Sequence, residues 1–78
     1  MTRVVVTVMP KEGVLDPQGQ AVRGALEQLG FAGVDDVRIG KRIELDIAGD
    51  DPAGQARAMC EQLLANALIE DYMVEAHG

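Results

Sequence analysis

Aromatic residues are nearly missing from this chain. Phe31 and Tyr72 are its only large rings, and there is no tryptophan. Sheets that read RNA or single strands stack bases on aromatic side chains, so the sequence argues against that class. Cations are scarce too. Lys and Arg total 7 against 13 Asp and Glu, for a formal net charge of −6. A nucleic-acid binder gathers Lys and Arg on one face, whereas here they are scattered, and the acidity reads as ordinary solubility. No nucleic-acid partner is expected. Cys60 is the one cysteine, which excludes an intrachain disulfide and fits a reducing compartment. No apolar run approaches the roughly 20 residues of a membrane span. The apolar stretch after Arg3 is too short for the core of a secretory signal. A cytoplasmic location without a membrane partner is expected.

The usual constellations of catalysis are also lacking. The single histidine, His77, stands next to the end of the sequence, where no neighbours would orient it as a base. It reads, with Gly78, as a short solvated tail. Cys60 falls on an apolar helical stripe, a core setting rather than the electropositive one that a reactive thiol needs. No Cys-x-x-Cys is present, and one His with one Cys cannot form a zinc site without carboxylates. Gly40-Lys41 lacks the surrounding phosphate-loop pattern and lies between two expected strands. Gly40 reads instead as a turn glycine with positive φ. The helix starts at Asp16 and Asp51 could attract anions, but each aspartate occupies the free N–H groups and repels phosphate. Glu70-Asp71 could pair as acid and base or bind Mg²⁺, but reads as a solvated strand entry. The chain is expected to carry no catalytic residue and to bind no metal or cofactor.

What is present is a regular alternation of strand and helix signals. Val4-Val5-Val6-Thr7-Val8 is short and β-branched, the pattern of a strand. Its near-continuous valine predicts a central position with both faces covered. Asp16-Pro17 is a helix start, with aspartate at the N-cap and proline at the first helical position. Ala21, Val22, Ala25, Leu26 and Leu29 then form one apolar face, and Gly30 closes the helix. Residues 34–47 read as a hairpin turning on Gly40-Lys41-Arg42. That loop pairs Ile39 with Ile43, Val37 with Leu45 and Arg38 with Glu44, and sets Asp36 against Asp46. Asp51-Pro52 opens a second helix, with Ala56, Met59, Cys60, Leu63, Leu64 and Ala67 as its apolar stripe and Asn66 as a C-terminal cap. A last strand runs from Ile69 to Ala76, with Tyr72 and Val74 on one face and Met73 on the other.

The order is βαββαβ in a single domain over residues 1–78. Residues 16–21 match residues 51–56 at five of six positions, compatible with two βαβ units or with one cap used twice. The expected fold is α+β, a ferredoxin-like plait: a four-stranded antiparallel sheet with both helices on one face. The other face is then left to a partner. Val5 and Met9, with Met73 joining them, are expected there as an apolar patch through which, or along whose edges, two copies pack. Hydrophobic residues make up 47% of the chain, but a domain this small gains stability by associating.

Several segments together carry a family likeness. Val14-Leu15-Asp16-Pro17-Gln18-Gly19 with Ala21-Val22, Val37-Arg38-Ile39-Gly40-Lys41 with Glu44-Leu45, Met59-Cys60-Glu61, Leu63-Leu64-Ala65-Asn66 and Ile69-Glu70-Asp71-Tyr72 resemble, in order, the PurS family. Loops 30–33 and 49–54 depart from it. The resemblance implies a small subunit of phosphoribosylformylglycinamidine synthase, a glutamine-dependent ligase using ATP and Mg²⁺, with the glutaminase PurQ and the synthetase PurL as partners. It implies a homodimer or homotetramer that joins the two larger subunits, and no catalytic residue of its own. Asp16, Arg38, Lys41, Asn66, Glu70 and Tyr72 are then interface candidates. An ACT-type regulatory domain that binds a small molecule is the alternative, since it shares the element order and a glycine after the first strand, as in Glu12-Gly13-Val14-Leu15. An acylphosphatase-like enzyme is disfavoured by the absence of its glycine-rich phosphate loop.

Overall fold

Residues 1–77 are described by a computed structural model; Gly78, assigned above to the tail, lies outside the described residues. Strand β1 (Thr2–Pro10) is flanked on both sides by antiparallel partners, β2 (Lys41–Ile47) and β3 (Glu70–His77), giving the order β2-β1-β3. The valine run is therefore central, as expected. Val4, Val6 and Val8 are completely buried. Each contributes roughly 1.5–3 kcal/mol of burial. Their cross-strand neighbours are Leu45, Ile43 and Lys41 on β2 and Ala76, Val74 and Tyr72 on β3. The other face of β1 carries Val5, which is buried, and Met9, which is partly exposed.

Helix α2 (Pro52–Met59) covers the valine face over β1 and β3. It continues into a wider turn, Cys60–Leu64, in which the Ala65 N–H bonds the Cys60 carbonyl at 3.1 Å. Ala56 and Cys60 are fully buried, and Leu64 packs beside them. Met59, Leu63 and Ala67, expected on the same stripe, face outward. Only the line at every fourth residue touches the sheet, which leaves the i+3 positions in solvent.

Helix α1 (Pro17–Gln28) starts as expected. Asp16 Oδ1 accepts the Gly19 N–H at 3.0 Å, and Asp51 Oδ1 accepts the Gly54 N–H at 3.1 Å at the start of α2. A Cβ on Gly19 or Gly54 would fall on the aspartate that caps it. The repeated Asp-Pro-x-Gly is thus a cap geometry written twice. Gly30 ends α1 with φ +100°, as its C′ role requires. The apolar face of α1 is where the fold departs from expectation. Ala21, Val22, Ala25 and Leu29 are exposed and only Leu26 is half-buried. α1 does not lie on the sheet beside α2.

The hairpin is likewise corrected. Lys41 and Arg42 are not a turn: they pair with Val8 and Thr7 as the first residues of β2. Gly40 has no positive φ, and a Cβ there would strike the Val8 carbonyl and the Met9 sulfur. It is a glycine of close approach. Residues 34–40 form no strand and run on into β2 instead of folding back beside it. The observed fold is thus a small α+β arrangement of two helices and a three-stranded antiparallel sheet. It is elongated, 50 × 25 × 14 Å, with a radius of gyration of 15.8 Å against about 11.5 Å for a compact chain of this length.

Candidate functional site

The ladder register places Arg3, Val5, Thr7 and Met9 of β1 on the open sheet face, with Glu44 and Asp46 from β2 and Asp71, Met73 and Glu75 from β3. Val5, Met9 and Met73 do share a face, as read from the sequence. Val5 is only 8% exposed and Met73 is 61% exposed. Thr7, Met9, Asp71, Tyr72 and Met73 line a shallow groove of about 140 Å³. Charges frame this strip. Arg3 bonds Glu44 and Asp46, each at 2.7 Å, and Lys11 bonds Asp71 at 2.6 Å. The hydrogen bond from Arg3 holds the Asp46 carboxyl below the usual carboxylate range. Such exposed pairs add little stability but fix side-chain positions. The sequence reading missed Arg3; its parity with Val5 was the available signal.

Asp16 and Arg38 meet at the base of the segment that carries α1. Asp16 Oδ2 accepts the Ile39 N–H at 2.8 Å while Oδ1 caps the helix. These two backbone bonds, Ile39 first, lower the Asp16 pKa. The Arg38 guanidinium donates to the Pro10 carbonyl. A cavity of about 290 Å³ lies here, lined by Pro10, Lys11, Gly13, Asp16, Asp36 and Arg38 among others. Asp16, Lys11 and Arg38 are already engaged within the chain. The arrangement anchors a segment more readily than it receives an anion.

Asn66, Glu70 and Tyr72 form a third group. The Asn66 N–H donates to Glu70 Oε1 at 2.8 Å, and Asn66 Oδ1 accepts the Leu68 N–H at 3.1 Å. The Asn66 carbonyl accepts the N–H groups of Ile69 and Glu70. Asn66 thus builds the turn into β3 rather than capping helix carbonyls. The Tyr72 hydroxyl donates to Glu61 at 2.6 Å, and that bond raises its pKa. Glu70 and Asp71 point to opposite faces, as neighbours in a strand must, so they do not form one acid–base pair. Lys41 stands apart from all three groups, exposed at the start of β2. Cys60 is fully buried, as its core reading requires, and burial raises its thiol pKa. His77 is not a tail residue: it ends β3 opposite Arg3, its ring more than half exposed. Among the described residues, no three of His, Cys, Asp and Glu gather as a metal site. No helix among them is long and apolar enough to cross a membrane.

The polar groups of these three clusters serve the chain's own caps, turns and ladders, while apolar side chains of α1 and Met73 on the sheet are left exposed. That division defines an association subunit of a larger assembly. The chain belongs to the PurS family: the family model described as phosphoribosylformylglycinamidine (FGAM) synthase matches residues 3–78. It is 51% identical over 77 residues to the phosphoribosylformylglycinamidine synthase subunit PurS of Bacillus subtilis, covering 96% of this chain and 92% of that one. The C2 crystal form of B. subtilis PurS matches it with a TM-score of 0.92 at 49% identity, over 100% of both chains. A chain in the structure of PurLQS from Thermotoga maritima matches with a TM-score of 0.78 at 26% identity, over 97% of this chain and 96% of that one. Family membership decides between the two readings left open by the sequence, for PurS and against the ACT type.

Proposed function

We propose that this chain is the non-catalytic small subunit of a phosphoribosylformylglycinamidine synthase. It bridges the glutaminase PurQ and the ATP-dependent synthetase PurL, so that ammonia from glutamine is used on formylglycinamide ribonucleotide without loss to water. Its part is positioning and solvent exclusion; ATP and Mg²⁺ belong to the larger subunits. The observation that carries this reading is the likeness along the whole chain to PurS, including a chain of the T. maritima PurLQS structure. The working unit is a cytoplasmic homodimer or a tetramer built from it, whose ferredoxin-like plaits are completed on association. Val5, Met9 and Met73 form the contact face for the larger subunits. Asp16 and Arg38 set the base of the α1 segment, and Lys41, Asn66, Glu70 and Tyr72 border the contacts.

The test is reconstitution with PurL and PurQ. Omitting this chain should abolish glutamine-dependent synthesis and spare synthesis driven by added ammonia. Undiminished glutamine-dependent turnover without the chain would overturn the proposal.

A further inference from the structure

Strand β3 leaves its outer edge unpaired. It pairs with β1 alone. One bond, from the Lys11 N–H to the Ile69 carbonyl at 2.8 Å, fixes the phase of that ladder. Bonded and non-bonded pairs alternate along antiparallel strands. Met9–Asp71, Thr7–Met73 and Val5–Glu75 therefore share the bonded phase. Val8–Tyr72, Val6–Val74 and Val4–Ala76 fall in the other, as does Pro10–Glu70, where proline has no N–H to give. The N–H and C=O groups of Tyr72, Val74 and Ala76 thus point away from β1. Among the described residues, no turn, loop or cap bond reaches them.

Strand edges left to solvent are commonly blunted by proline, lysine or a bulge. Glu70–His77 contains neither proline nor lysine, and its register to β1 runs without a skipped residue. Its fixed charges are all negative: Glu70, Asp71 and Glu75. Asp71, Met73 and Glu75 share the open sheet face, and all three are more than half exposed. An apolar side chain thus stands between two carboxylates. Lys11 offsets Asp71 at 2.6 Å. Glu75 pairs, among the described residues, only with His77 at 3.7 Å, a contact that needs a protonated imidazole. The groove formed by Thr7, Met9, Asp71, Tyr72 and Met73 reaches this rim.

We propose that the outer edge of β3 receives an extended, basic segment of a larger subunit as a further strand. Main-chain bonds to Tyr72, Val74 and Ala76 hold that segment, and alternate side chains select it. The residue facing Met73 is apolar and continues the strip of Val5, Met9 and Met73 to the rim of the sheet. The residue facing Glu75, two positions along, is a lysine or arginine, which opposes the carboxylate across the strands. The charge of β3 and the continuity with that strip both favour this occupant. A second copy of β3 does not fit. It would set the carboxylates of the two strands together with no lysine or arginine in either.

This inference rests on the bridging role of the proposed function and names a surface that serves it. The test is hydrogen exchange on the complex reconstituted with PurL and PurQ, quenched and read amide by amide by NMR on the recovered chain. In the chain alone, the Met73 and Glu75 amides should be protected by β1 while those of Tyr72 and Val74 exchange freely. In the complex, Tyr72 and Val74 should slow on the order of 100-fold. Ala76→Pro removes an outward N–H and leaves the ladder to β1 intact. It and Glu75→Lys should each weaken binding to the larger subunits about 10-fold, with the melting temperature of the parent retained. Tyr72 and Val74 amides that exchange as fast in the complex as in the free chain overturn the edge site and leave the bridging role standing, as does unchanged affinity in both variants. Protection already present in the chain alone assigns the edge to a second copy and overturns the proposal. Glutamine-dependent turnover that survives omission of the chain overturns the bridging role and this inference with it.

Discussion

The carboxylate of Asp16 joins two parts of the chain that lie 23 residues apart, accepting the Ile39 N–H at 2.8 Å with one oxygen and the Gly19 N–H at 3.0 Å with the other. One side chain therefore starts α1 and ties the extended segment to it. Asp51, at the matching position of the second helix, makes only the cap bond to Gly54.

Asp16→Ala should lower the melting temperature more than Asp51→Ala, since it leaves the Ile39 donor unpaired as well as the helix start. Equal shifts would show that the tie to Ile39 contributes nothing. The pH dependence has a definite sign. Folding lowers the Asp16 pKa through these two bonds. Its stabilisation is complete above the unfolded carboxylate value of about 3.9 and is lost as pH falls from there through the lowered folded value. Urea midpoints between pH 6 and pH 2.5 should fall less steeply in Asp16→Asn.

Cys60 titrates in the opposite range. Burial, and then the charge of Glu61, raise its thiol pKa. Below about pH 8.5 the thiol is protonated in both states and pH has no effect through it. Above that value the unfolded chain ionises first, so stability declines as pH rises. Cys60→Ala should cost about 1–2 kcal/mol at neutral pH through the lost packing of the sulfur. It should also remove the decline between pH 8.5 and the tyrosine range. An unchanged alkaline slope in urea titrations would assign the decline elsewhere.

Gly40→Ala should destabilise the fold by about 1–3 kcal/mol, the usual cost of forcing atoms into filled space. The new Cβ would meet the Val8 carbonyl, which is backbone and cannot swing aside. Gly24→Ala, where a Cβ meets nothing within 4 Å, is the control and should be neutral or stabilising. Chemical denaturation of the pair separates close approach from ordinary glycine entropy.

Met73→Glu tests the open sheet face. The side chain is 61% exposed, so stability should stay within about 0.5 kcal/mol of the parent. Affinity for the larger subunits should drop by about 10-fold, equivalent to roughly 1.4 kcal/mol. Unchanged assembly in analytical ultracentrifugation would move the contact to another surface.

Local chemistry was legible in the residue order. Asp-Pro at each helix start, glycine after Leu29, and the valine run each act within a few positions, through free N–H groups, positive φ and β-branching. The alternation along Val4–Met9 placed Val5 and Met9 apart from the core valines, because strand parity needs no knowledge of the fold. Whether the strip they form with Met73 serves the larger subunits rests on the Met73→Glu measurement.

The hairpin was not legible, for a physical reason. A glycine before a lysine between two apolar alternations has the same pattern whether the chain turns there or runs straight. Only the ladder from Lys41 and Arg42 to Val8 and Thr7, with Gly40 pressed on the Val8 carbonyl, decides for the straight path. The same holds for α1: periodicity established an apolar face, but not which surface receives it. Residue order alone thus set the helix starts, the central and last strands and the family. Tertiary structure alone decided that one helix and one extended segment stand clear of the sheet, because that outcome depends on contacts between residues far apart along the chain.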